Sequence, residues 1–183
     1  MTTLFRPLNG TTLGFLIIIQ IIFLQSCSEP ADKFFDIAVL NTNTITDFGT
    51  PILAKHIADE ATEYPNIPSS KKKGDEAVNY VKNNVMYMEK TLSDIKALSA
   101  NDEKRKVIKQ QAIAVYELVI PVYKNEYMAY AKLCDSKASI AQKDELRSLI
   151  EKKYTAEFEK RFASLLANGK TFAADNGIQV NWQ

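Results

Sequence analysis

Residues 112–134 read AIAVYELVIPVYKNEYMAYAKLC, and the fold class turns on how this stretch is read. From Ala112 to Tyr123 the only charged residue is Glu117. Val115, Val119, Ile120 and Val122 are β-branched, which suits a strand. The spacing argues for a helix instead. Ile113, Tyr116, Ile120, Tyr123, Tyr127, Tyr130 and Cys134 follow one another at alternating steps of three and four, which is one face of a helix. That series runs on well past Pro121, further than a strand would carry it. The expected helix covers residues 102–134. Being apolar nearly all round at its centre, it should be the most buried element of its domain. Pro121 lacks a backbone N–H and is expected to kink it.

The flanking sequence gives three more helices. Before it, Val78, Val81, Val85, Met88, Leu92 and Ile95 repeat the three-four spacing, predicting a helix over 70–99. Ser99-Ala100-Asn101 breaks it, and Asn101 is placed to cap the next helix. After it, Leu146, Ile150, Tyr154, Phe158, Phe162 and Leu165 predict a helix over 140–175, with Gly169 as a weak point. Asn176-Gly177 is a C-terminal cap signal, and the tail beyond it can dock Ile178, Val180 or Trp182. At the front, residues 33–63 read as one helix broken or kinked near Gly49-Pro51. There Thr50 and Pro51 form a restart signal, and the polar run Asn41–Thr46 is a poor helix former. The whole is an all-α protein, an up-down-up-down four-helix bundle over residues 34–183 with a kinked or broken first helix.

The N-terminal region has a different character. Residues 13–24, LGFLIIIQIIFL, carry no charge. They are too few for a typical spanning helix but have the length of a signal-peptide apolar core. Leu24-Gln25-Ser26-Cys27 follows. This tetrapeptide resembles the lipobox of bacterial lipoproteins, with Leu24, Ser26 and Cys27 on the pattern and Gln25 off it. The resemblance implies cleavage before Cys27 and a diacylglycerol on its sulfur, with residues 1–26 lost as a signal peptide and 27–33 left as a lipidated tether. It also implies a bacterial envelope location, with Ser28 compatible with outer-membrane sorting. The remainder is similar overall to helical surface lipoproteins of Bacteroidota and spirochaetes, families with no assigned chemistry. Arg6 is the single charged residue of the first 26, so the rest of the chain has equal numbers of basic and acidic side chains. A neutral domain offers no electrostatic case for nucleic acid. With Cys27 given to lipid, Cys134 has no intramolecular partner and reads as a small buried hydrophobe.

No catalytic set emerges. His56 is the only histidine. The paired Glu-x-x-His motifs of di-iron bundles cannot be built from it, since Leu53 stands three residues before it. Haem-attachment, structural-zinc, nucleophile-elbow and phosphate-loop patterns are absent. A His56–Met haem site is arithmetically open, but methionines at helical spacing read as core. The expectation is therefore no cofactor, no metal and no enzyme: a membrane-anchored binding or protein-interaction module with an envelope partner. The alternative is a ligand groove for a small apolar or aromatic molecule, lined by Tyr116, Tyr123, Tyr127 and Tyr130 and opened by the kink at Pro121.

Overall fold

A computed structural model describes residues 29–182. Cys27, the signal-peptide stretch and Ser28 of the expected tether lie outside the described residues. The described chain is all-helical: α1 (Ala31–Ala38), α2 (Pro51–Glu60), α3 (Glu76–Ala97), α4 (Glu103–Val122), α5 (Met128–Asp135) and α6 (Ile140–Asp175). A π-turn over Tyr123–Tyr127 joins α4 to α5 without a break, so they form one rod. The four rods are α1 with α2, α3, α4 with α5, and α6, and they pack up-down-up-down.

Antiparallel pairing is visible in the cross-links. Between α3 and the α4–α5 rod, Lys96 meets Glu117, Lys124 meets Glu89, and the Asp135 carboxylate meets the start of α3. Between α4 and α6, Lys104 meets Asp175, Gln111 accepts from Asn168, and the Ala114 carbonyl accepts from Arg161. The core is a single apolar cluster drawing on every rod. Among the described residues its only buried polar side chains are Thr42 and Thr91. Each hydroxyl donates to a main-chain carbonyl, of Val39 and Tyr87 respectively.

Several local expectations shift. The break in the first rod reaches further back than Gly49-Pro51, and helix is already lost after Ala38. Leu40–Ile45 is a 3-10 turn. There Thr42, Thr44 and Thr46 each donate to the carbonyl three residues back, a local bonding pattern that competes with an α-helical ladder. The helix expected from residue 70 begins at Glu76, because the Glu76 carboxylate folds back to accept the N–H groups of Lys73, Gly74 and Asp75. Asp102, rather than Asn101, caps α4 by accepting from Arg105 N–H at 2.9 Å. Pro121 is accommodated by the π-turn just beyond it, where Asn125 donates to the Pro121 carbonyl.

Gly169 is a packing site as well as a gap in helix propensity. A Cβ there would stand 2.9 Å from Val39 Cγ1, so glycine is what lets the α1 rod approach α6. The C-terminus of α6 closes as expected. Gly177 takes φ +66° and Ile178 N–H reaches the Ala173 carbonyl at 2.9 Å, a Schellman arrangement. The tail then runs back along the bundle, with Trp182 edge-on to Phe35.

Candidate functional site

The tyrosine face of the third rod is interior. Tyr116, Tyr123, Tyr127 and Tyr130 are 0%, 3%, 2% and 5% exposed. What covers them is the broken first rod. Phe48 lies between Tyr123, Tyr127 and Phe158, with ring centroids 6.3, 6.0 and 4.9 Å away. Tyr116 Oη donates to the Asn41 carbonyl at 3.0 Å. Tyr127 Oη accepts the Gly49 N–H at 3.1 Å, and Thr155 Oγ1 donates to the Gly49 carbonyl. The hydroxyls thus bond to main-chain groups that the helix break sets free. Burial raises the phenols of Tyr116, Tyr127 and Tyr130 to about 12 and drives Tyr123 up as well. Phe48 and the 41–49 segment pack over this face, and the four rings form a buried seam.

The surface offers a different feature, which the sequence reading passed over. A hollow of about 550 Å³ lies along α6, lined by Leu146, Leu149, Ile150, Tyr154, Glu126, Lys152 and Lys153. It shares Glu126 and Tyr154 with a second hollow of about 270 Å³ that reaches Leu118, Pro121, Val122 and Asn125. Together they make an apolar strip along the junction of α4, the π-turn and α6, with Leu149 58% exposed. Tyr154 donates to Glu126, and the Lys153 ammonium lies 4.7 Å from the Tyr154 ring centroid. A carboxylate and two lysines therefore fringe an apolar floor. Leu149 lies one residue off the seam defined by Leu146 and Ile150, and that offset was the available signal.

A third feature sits where the described chain begins. Residues 29–33, expected as part of a free tether, are fixed to the bundle. Ser99 N–H donates to the Glu29 carboxylate at 3.1 Å, and Arg105 Nη1 donates to the Glu29 carbonyl at 2.7 Å. The Arg105 side chain is only 11% exposed. Its guanidinium lies over Phe34 and Phe172, at 5.0 and 5.8 Å from the ring centroids. Helix α1 starts two residues later, at Ala31. The Glu29 carboxyl is held below its usual range, first by its own N–H and then by that of Ser99.

The other residues singled out are dispersed. His56 is half exposed on α2, 3.9 Å from Asp47. Cys134 is buried, and desolvation pushes its thiol upward. Among the described residues no cluster of three His, Cys, Asp or Glu could hold a metal ion, and no helix is long and apolar enough to cross a membrane. No family model matches the chain, and neither a curated protein nor a solved structure matches it.

Proposed function

We propose that the protein is a lipid-anchored component of the bacterial cell envelope, held by a diacylglycerol on Cys27, whose helical bundle acts as a protein-interaction domain without catalytic chemistry of its own. The outer membrane is the favoured location. The observation that carries this reading is the order of segments: an uncharged apolar stretch over 13–24, then Leu24-Gln25-Ser26-Cys27, then a domain that is already folding at Ala31. Two or more acyl chains would hold such a domain firmly, at about 0.8 kcal/mol per buried methylene.

The apolar strip along α4 and α6 is the surface offered to an envelope partner. Its exposed Leu149 beside Glu126, Lys152 and Lys153 has the makeup of a small contact patch with a polar rim. The anchoring half of the proposal is tested by growth with labelled palmitate. Label should enter the full chain and be lost with Cys27→Ala, and label that survives the substitution overturns it. The interaction half is tested by crosslinking in intact envelopes. A defined crosslinked species should form with the wild type and weaken with Leu149→Glu. Equal yield from both would remove the strip from the proposal.

A further inference from the structure

We infer that the bundle stands end-on against the bilayer, with the loop over residues 98–102 facing a zwitterionic phospholipid headgroup layer. This rests on the proposed lipid anchoring at Cys27, and it concerns how the domain is held once anchored.

The argument starts at Glu29. Its carboxylate is bonded to Ser99 and its carbonyl to Arg105, so the main chain is fixed to the bundle at that residue. Arg105 is itself held between Phe34 and Phe172. Only Ser28 separates Glu29 from Cys27. Two trans peptide units span at most about 7 Å between the α-carbons of residues 27 and 29. A free tether of seven residues would let the domain drift over about 20 Å. The covalent reach from Glu29 therefore confines a lipid on Cys27 to the neighbourhood of one end of the bundle.

That end is defined by the C-terminus of α3, the N-terminus of α4 and the C-terminus of α6, which Lys104 and Asp175 join. Its loop carries Ser99, Ala100 and Asn101, with exposed Asp102, Lys104, Lys33 and Asp32 around them. Both signs of charge alternate over a small area, which suits a headgroup that carries both and gives no preference for an anionic one. The opposite end, with the loop at 61–75 and the turn at 136–139, is separated from it by the length of α6, which has 36 residues. At 1.5 Å per residue that is about 54 Å. Leu149 lies 26 residues before the membrane-facing end of α6. The apolar strip is therefore carried sideways, about 40 Å above the bilayer.

The experiment uses the full chain in a Cys134→Ala background, purified with its lipid and reconstituted into phosphatidylethanolamine–phosphatidylcholine vesicles with a fluorescent headgroup acceptor. Mass spectrometry first reads the lipid on Cys27. A donor dye is then placed at Asn101→Cys or at Ser69→Cys, both exposed positions at opposite ends. Transfer should be several-fold stronger from position 101 than from position 69. Eight Gly/Ser residues inserted between Ser28 and Glu29 should bring the two values together. Equal transfer from both ends of the lipidated protein overturns the end-on arrangement while leaving the anchoring intact, and so does an insertion with no effect. A mature chain with no lipid on Cys27 overturns the anchoring and the arrangement with it. Trp182, the only tryptophan, provides a label-free donor to dansyl headgroups. Its transfer should fall on insertion, which guards against artefacts of the added cysteines.

Discussion

Tyr127 Oη accepts the main-chain N–H of Gly49 at 3.1 Å, joining the middle of the third rod to the break in the first across 78 residues. Gly49 is at φ +73°, where a side chain is strained, and a Cβ would meet Thr155 Oγ1 at 2.7 Å. Tyr127→Phe leaves that buried N–H without an acceptor, at a cost of about 1–3 kcal/mol. Tyr116→Phe removes a donor from the Asn41 carbonyl and should cost less, about 0.5–1.5 kcal/mol. Urea midpoints of the two variants check the order. A Tyr127→Phe protein as stable as the wild type would mean the bond contributes nothing.

Gly169→Ala sets helix propensity against packing. On an exposed helix face the change would gain up to about 1 kcal/mol. Here the new methyl group meets Val39 Cγ1 at 2.9 Å and Phe35 Cε2 at 3.6 Å. Overpacking of this kind costs about 1–3 kcal/mol, so a net loss is expected. Val39→Ala in the same chain should recover part of it, and a double-mutant cycle measures the coupling. A more stable single variant would show that α1 can move aside freely.

Acid should loosen the 61–76 loop before it unfolds the bundle. The Lys73 N–H, then those of Gly74, Glu76 and Asp75, hold the Glu76 carboxyl down to about 2. Glu63 is lowered by the Lys72 N–H and then by Lys137. For a carboxyl depressed in the fold, the stabilisation is present above the ordinary value of 4.5 and is lost as pH falls through the folded one. Amide protection at Lys72, Lys73 and Gly74 should therefore decline between pH 4.5 and 2. Glu76→Gln should flatten most of that decline at Lys73 and Gly74. Unchanged protection at pH 2 in the wild type would contradict this.

Alkali acts on the opposite side of the molecule's pH range. Tyr116, Tyr127 and Tyr130 are pushed from 10 to about 12 by burial, so the folded state favours the neutral phenol. The stabilisation is intact below pH 10 and disappears as pH rises through 12. Phenolate absorbance should consequently show a late step that coincides with loss of helical circular dichroism. Cys134 should gain reactivity toward a thiol reagent in the same step, since it is buried beside Tyr130. Reactivity at pH 8 equal to that of the denatured chain would refute the packed seam.

Most of the helical architecture was legible because its signals are periodic. The series from Ile113 to Cys134 and from Leu146 to Leu165 depend only on spacing, and both map to inward faces. The start of α3 was not legible, because a side chain outside the three-four pattern, Glu76, decides it. The role of Gly169 was hidden for another reason. A glycine within a helix reads as weakness unless the Val39 methyl groups opposite are known. The tyrosines read as one core-facing series, and their burial agrees with that, but the partners of their hydroxyls were not legible. What fills the space beside them is Phe48, which belongs to a segment whose own local pattern is irregular. Leu149 escaped notice because an exposed leucine off the seam is ordinary until neighbouring hollows join around it.

The Asp135 carboxylate accepts the N–H groups of Ala77 and Val78 at 3.1 and 3.0 Å, so the first turn of α3 is closed by the last residue of α5. Asp75, the residue at the cap position, makes no such bond with its own side chain. This has a consequence for the order in which the protein can be completed on the ribosome. When residues 76–97 have emerged, the amides at the head of their helix still lack their acceptor. They remain open to water until 38 further residues after Ala97 have been made and the hairpin has closed. The beginning of one helix is thus a property of the finished hairpin, and a nascent chain short of residue 135 carries that turn frayed.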